Sequence, residues 1–280
     1  MEKPIKLKTR KRFSALDVKA EASALSKILS GCKVNSVYDL DQKTFLIKFG
    51  KVNKRVNLVM ESGVRFHTVS NFIETKEKPN SFTTRLRKHL KNLFFKEIKQ
   101  IGVERVVRLT FCGADTENKE FIFHIFIELY AKGNIVFTDA DYKVICLLRT
   151  YAYNDEVKCA MNERYPVEHA AKFHYDNITI NKEELDGIIE RSKKVLNNTQ
   201  IVSRLVPCLH QSLVEPWLVH VGLGPNAKFK KGTEERLIEE AKKLLEIYKE
   251  DYPLKSSFLY TKKDSKFPFE FSPVKLNYVG

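Results

Sequence analysis

"EFIFHIFIELYAKGNIVFTD", residues 120–139, sets two runs of β-branched and aromatic residues on either side of Lys132-Gly133-Asn134. Such runs favour extended backbone, and a short glycine-bearing turn between them favours antiparallel pairing. The pattern recurs outward along the chain. Upstream lie "KVNSVYDL" (33–40), "TFLIKFG" (44–50), "VNLVMES" (56–62), "VRFHTVS" (64–70) and "RVVRLTF" (105–111), and downstream "VICLLRT" (144–150). Ser62-Gly63 and the stretch Asp139 to Asp141 supply further turns. Closely spaced strands with few intervening helices predict an antiparallel β-sandwich or partly closed barrel.

Helices bracket this region. In "SALDVKAEASALSKILSGC" Ser14 is placed to cap, Leu16, Ala20, Ala24 and Ile28 recur at helical spacing, and Gly31 sits where a helix-ending glycine belongs. From Asn181 the periodicity is helical, with Asn181, Asn198 or Thr199, and Thr233 as caps. Pro207 and Pro216 are expected to break the middle of that region into shorter helices. The terminal aromatic and proline-rich stretch reads as a strand or hairpin with an extended tail. The expected class is therefore α+β, divided into a basic flexible tail (1–12), a β-rich domain (13–175), a small helical domain (176–252) and a closing strand and tail (253–280).

Composition narrows the function. The 280 residues are 43% hydrophobic, enough for a core, and carry a net charge of +14. That imbalance points to a polyanionic partner. No run reaches the roughly 18 apolar residues of a membrane span, and the start lacks the apolar stretch of a secretory signal. Five scattered cysteines without a C-x-x-C read as reduced thiols of a cytosolic or nuclear protein. Cys159, His169 and His174 fit no standard zinc spacing, so no metal or other cofactor is expected.

The densest charge lies in "KPNSFTTRLRKHLKNLFFKEIKQIGVERVV", residues 78–107. Pro79-Asn80-Ser81 reads as a helix start, after which Phe82, Leu86, Leu90 and Leu93 form one apolar stripe. Arg85, Arg87, Lys88, His89 and Lys91 fall outside it, with no acid between Ser81 and Lys96. A solvated face ordinarily mixes signs, and like charges one turn apart cost about 0.2–0.5 kcal/mol per pair. A bound phosphate chain would offset that cost. Arg85, Arg87, Lys88 and Lys91, with Arg12 of the basic amino-terminal run, are therefore the expected phosphate contacts. Glu104-Arg105, at the entry to the next strand, reads on composition alone as a surface ion pair of little energetic weight.

Several stretches, in order, resemble the amino-terminal region of the NFACT family in its eukaryotic, nuclear-export-mediator type. They are "RFSALDVKAEASAL", "GCKVNSVYDLDQKTFLIKF", "ESGVRFHT", "RLRKHLKN", "KQIGVERVV", "IELYAKGNIVFTD", "LLRTY" and "DEVKCAMNERYPVEHA". "LVPCLHQSLVEPWLVHVGLGPNAK" resembles the family's helix-hairpin-helix segment more loosely, having "HQSLVEP" where a Tyr-Gly-Pro turn is usual. The resemblance implies a formamidopyrimidine-glycosylase-like β-domain followed by helices. It also implies a role in ribosome-associated quality control. There the protein binds peptidyl-tRNA on the split large ribosomal subunit and stabilises a Listerin-type ubiquitin ligase. It also recruits alanine or threonine aminoacyl-tRNA for untemplated carboxy-terminal tailing. Peptide bonds are then made by the ribosome, and no catalytic residue is expected in this chain. The family's R-F-S-x-x-D motif falls on Asp17, and its Asp-Arg pair on Glu104-Arg105, one methylene longer in the acid. The resemblance assigns these three residues to tRNA handling and tailing. The family's coiled coil and later domains lie outside this sequence. That is expected of a piece of a longer protein or of a reduced version, with Listerin contact and much ribosome affinity residing in those regions.

Two other classes compete. A glycosylase of similar fold would use an amino-terminal proline amine, whereas Pro4 in "MEKP" is internal and its nitrogen an amide. A protein-binding scaffold would use the basic surface for acidic proteins, with "KLKTRKR" as a nuclear signal. His67, His124 and Trp217 read as packed or hydrogen-bonded residues.

Overall fold

A computed structural model describes residues 12–70, 73–75, 78–249, 252–254, 257–261 and 268–275. The basic run before Arg12, with Pro4, and the last five residues lie outside the described residues. The chain divides into two compact units: Val18–Ile101 with Arg105–Lys172, and Met1–Asp17 with Gly102–Glu104 and Phe173–Gly280. The division thus differs from the expected linear boundaries. Short segments at residues 12–17 and 102–104 group with the carboxy-terminal part.

The first unit is built on one nine-stranded antiparallel sheet. Its strands are β1 (Lys33–Asp39), β2 (Thr44–Lys51), β3 (Lys54–Glu61), β4 (Arg65–Val69), β5 (Phe94–Gln100), β6 (Val106–Ala114), β7 (Glu120–Glu128), β8 (Asn134–Asp139) and β9 (Val144–Leu147). The order is β4-β3-β2-β1-β5-β6-β7-β8-β9. Seven of the eight neighbouring pairs are consecutive hairpins, as the short turns predicted. The eighth, β1 with β5, is joined at a single register pair, Lys33 with Phe94, so the sheet can fold there. It does: Phe49 of β2 stacks on Phe111 of β6 with ring centroids 6.3 Å apart. Both rings are fully buried. At the far end the Gly63 amide donates to the Glu128 carbonyl at 3.0 Å. The large antiparallel sheet is as expected, in the form of one folded sheet.

Helix α1 (Ala15–Leu29) ends before Gly31, whose φ of +72° is the left-handed ending expected of it. The buried stripe is Val18, Ala22, Leu25 and Leu29; the spacing was read correctly but the phase was not, since Ala24 is exposed. Lys51 and Lys54 donate to the Ser30 and Ile28 carbonyls at 3.0 and 2.9 Å, satisfying the helix end where cations are favourable. Helix α2 (Ser81–Leu90) begins where Asn80 accepts from the Thr83 amide at 2.7 Å. It is shorter than its apolar stripe suggested. Asn92, at φ +68°, turns the chain, and Leu93 leads into strand β5.

The first unit ends with the short β10 (Tyr151–Ala152), β11 (Lys158–Cys159) and α3 (Val167–Ala170), and the second carries α4 (Lys182–Glu190), α5 (Asn198–Leu205), α6 (Gln211–His220) and α7 (Glu234–Glu246). Asn181 caps α4, and Asn197, one residue before the expected position, caps α5 in a reciprocal capping box with Gln200. Pro207 follows the end of α5, but α6 runs through Pro216. Leu205, Val214, Leu218, Leu237, Ala241 and Leu244 form the centre of this unit's core. A hairpin of β12 (Phe258–Thr261) and β13 (Pro268–Ser272) follows. Among the described residues no helix is long and apolar enough to cross a membrane.

Candidate nucleic-acid interface

Three tethers lay α2 antiparallel along β1. Asp39, buried at the end of β1, accepts from the Asn80 amide at 3.1 Å. The Arg87 Nε donates to the Val37 carbonyl at 2.6 Å. The Asn92 amide donates to the Val34 carbonyl at 2.8 Å. Phe82, Leu86 and Leu90 face the core. Thr84, Lys88 and Lys91 therefore lie on the opposite face, with Arg87 on its flank.

Between this face and β1 is an open cleft of about 390 Å³. Its helix wall is Thr84, Arg87, Lys88 and Lys91. Its strand wall includes Asn35 and Ser36. Asn35 is the extra residue of a β-bulge, because the register with β2 shifts between Val34 and Ser36. The Asn35 side-chain amide lies over Gly50 of the partner strand, where a Cβ would stand 2.6 Å from its Nδ2. Bulges re-aim side chains beside functional sites. The lining carries three cationic side chains and no carboxylate. Chemically it is suited to phosphate, with hydroxyl and amide groups beside the cations.

The expected site residues sort into three groups. Lys88 and Lys91 are exposed on the cleft. Arg87 lines it too, but its guanidinium already holds the strand and lies over the Tyr38 ring at 4.8 Å. Arg85 points elsewhere, reaching the Ile145 carbonyl and Met161 Sδ, each at 3.4 Å. His89 also turns inward, 5.3 Å from Phe123 and 5.6 Å from Phe137 between ring centroids. Burial and the neighbouring Lys88 charge lower its pKa. The run of cations is thus not one uniform face.

Asp17 is 4% exposed. Its carboxylate accepts from the Ser14 amide and hydroxyl, both at 2.6 Å, while Ser14 Oγ accepts from the Asp17 amide at 3.3 Å. This reciprocal arrangement is a capping box that fixes where α1 begins. Glu104 and Arg105 are half-buried in the turn before β6. Leu16 and Val103, the neighbours of Asp17 and Glu104, are buried in the same core cluster. Both acidic motif residues therefore belong to the second unit, whereas Arg105 opens the following segment of the first. Arg12 is exposed just before α1.

One buried constellation gave no sequence signal beyond an acid in an apolar strand. Glu128 is fully buried and accepts from the Tyr151 and Tyr165 hydroxyls at 2.5 and 2.9 Å. Tyr153 joins Tyr151 and Tyr130 at 2.9 and 3.0 Å. Burial raises the Glu128 pKa against the opposing pull of these hydroxyls. His124 is also buried, with Nδ1 3.1 Å from Thr110 Oγ1. Burial, then the Arg108 charge, lowers its pKa to about 4. Trp217 donates to Glu240 at 2.9 Å beside the helical core. His124 and Trp217 are thus packed and hydrogen-bonded, as read; His67 is half-buried. The five cysteines are free, and burial raises the Cys146, Cys159 and Cys208 thiols to about 12. Among the described residues no group of three or more His, Cys, Asp or Glu is placed to hold a metal.

The first unit is thus a folded antiparallel sheet bearing a basic cleft whose lining holds no carboxylate. The chain belongs to the NFACT family: the profile described as NFACT N-terminal and middle domains matches residues 14–279. It is 36% identical over 245 residues to the human ribosome quality control complex subunit NEMF, covering 87% of this chain and 22% of that protein. It is 36% identical over 232 residues to the mouse protein of that name, covering 82% and 21%. It is 35% identical over 160 residues to ribosome quality control complex subunit 2 of Schizosaccharomyces pombe, covering 57% and 16%. The chain thus spans about a fifth of the length of these relatives. The amino-terminal region of the fibronectin/fibrinogen-binding protein of Streptococcus suis shares the fold, with a TM-score of 0.66 at 13% identity over 96% of this chain and 92% of that one.

Proposed function

We propose that the chain is a non-catalytic RNA-binding module of ribosome-associated quality control. In this reading it binds tRNA on the split large ribosomal subunit and helps recruit aminoacyl-tRNA for untemplated tailing of stalled chains. Family membership and the names of the relatives support the setting. The acid-free cleft of Arg87, Lys88 and Lys91 carries the reading, because phosphate neutralisation dominates affinity for nucleic acid. Asp17 serves by fixing the start of α1, since its carboxylate is already engaged by Ser14 and would repel phosphate. Glu104 and Arg105 are assigned to tRNA handling by their motif. The module works in the cytosol, and contacts with a Listerin-type ligase belong to regions beyond this sequence.

A second reading keeps RNA binding and drops tailing. It is favoured by Glu104, whose carboxylate reaches one methylene beyond the family's usual aspartate. Sequencing RNA crosslinked to the chain in cells tests both. Enrichment of tRNA with large-subunit RNA, lost in the Lys88→Ala/Lys91→Ala variant, is the expected result. Recovery that mirrors bulk RNA, or that the variant leaves intact, rejects the module.

A further inference from the structure

Resting on the reading of the cleft as an RNA site, we propose that it takes an unpaired nucleotide of single-stranded RNA, with the base stacked on Phe94. Size is the first argument. At about 390 Å³ the cleft falls at the low end of small-ligand sites. Its helix wall from Thr84 to Lys91 rises only about 10 Å at 1.5 Å per residue. A duplex is read by shape across many base pairs and successive grooves, and a recess this short holds a single residue of a strand.

Phe94 is the second argument. It is a large aromatic side chain left 44% exposed. It follows directly on the segment that leaves the cleft, because Lys91 lines the cleft and Leu93 accepts from the Val34 amide at 2.8 Å. Phe94 is also the register partner of Lys33, two residues before the bulged Asn35. Directly paired residues of antiparallel strands point to the same side of the sheet, and Lys33 and Asn35 are both exposed. The ring and the cleft therefore open on one surface.

The third argument is what covers the ring. Lys33 Nζ stands 4.4 Å from its centroid. An exposed cation–π contact is weaker than stacking of a base on an aromatic ring. A base displaces the ammonium, which is then free to meet the adjacent phosphate. Lys88 and Lys91 hold the backbone, Asn35, Ser36 and Thr84 offer hydrogen bonds to ribose, and Phe94 takes the base. Aromatic platforms beside cationic tracks are the general means of gripping single strands.

Binding of the 280-residue chain to a labelled single-stranded RNA decamer and to the same decamer in a duplex, by anisotropy across a salt series, tests this. The wild type is expected to prefer the single strand. Phe94→Leu, which keeps an apolar side chain on the strand, is expected to weaken single-strand binding by about 5- to 160-fold with the salt slope and duplex affinity unchanged. Phe94→Tyr is expected to bind as the wild type does. Equal wild-type affinity for both forms, or a Phe94→Leu variant that binds the single strand normally, overturns the nucleotide site. If Lys88→Ala/Lys91→Ala nonetheless weakens RNA binding, the broader RNA reading survives. If that pair changes nothing, both fall.

Discussion

Replacing Gly133 by alanine tests how the folded sheet is closed. Gly133 sits at φ +69° in the turn between β7 and β8. A Cβ built there meets the backbone N and Cα of Gly63 and the carbonyl carbon of Ser62. These are backbone atoms, so no side-chain rotation relieves the overlap. Left-handed backbone costs a non-glycine residue about 1 kcal/mol. Overpacking against a fixed wall adds about 1–3 kcal/mol. If the turns separate, the Gly63 amide also loses its 3.0 Å bond to the Glu128 carbonyl, about 1 kcal/mol more. The sum is about 3–5 kcal/mol, equivalent to a fall in Tm of about 6–20 °C for a domain of this size. Gly31→Ala is the control. It has nearly the same φ, +72°, but nothing within 4 Å of the added carbon, so only the backbone term of about 1 kcal/mol remains. Urea unfolding of both variants measures the difference. Losses within 0.5 kcal/mol of each other would refute the claim that the two turns touch.

Acid should destabilise the fold through His124. Its pKa is lowered to about 4 from 6.5 by burial and Arg108, so the folded state holds it neutral. That stability is complete above pH 6.5 and is lost as pH falls toward 4, by about 2–3 kcal/mol. Urea midpoints of wild type and His124→Asn between pH 7.5 and 4.5 should converge on acidification, and parallel curves would contradict this. Arg87 and Lys88, adjacent in a basic run, should behave oppositely. Arg87→Ala removes a half-buried tie to Val37 and a contact with Tyr38, costing about 1–2 kcal/mol. Lys88→Ala, on an exposed site, should stay within about 0.5 kcal/mol of wild type. Equal losses would show that Arg87 is not a structural residue.

Strands were readable wherever β-branched and aromatic runs met a turn, because both signals are local. Asn80 and Gly31 were readable for the same reason. β5 was not. Leu93 continues the apolar spacing of Leu86 and Leu90, and only the left-handed Asn92 ends the helix before it. The cleft was half legible. The sequence puts Lys88 and Lys91 on a polar face, but the opposite wall depends on a bulge at Asn35, set by the register of β1 against β2. Arg85 and Arg87 look like their neighbours in sequence and differ only through contacts distant along the chain. The burial of Asp17 was not legible, because a helix-start acid is ordinarily exposed. Here its carboxylate turns back on Ser14.

The central claim is that Lys88 and Lys91 neutralise RNA phosphate. The direct measurement is the salt dependence of tRNA binding by the wild type and the Lys88→Ala/Lys91→Ala variant. Each lost phosphate contact should reduce the log–log slope by about 0.7–0.9. The double variant should therefore be shallower by about 1.4–1.8, with weaker binding at every salt concentration. An unchanged slope and affinity would contradict the account.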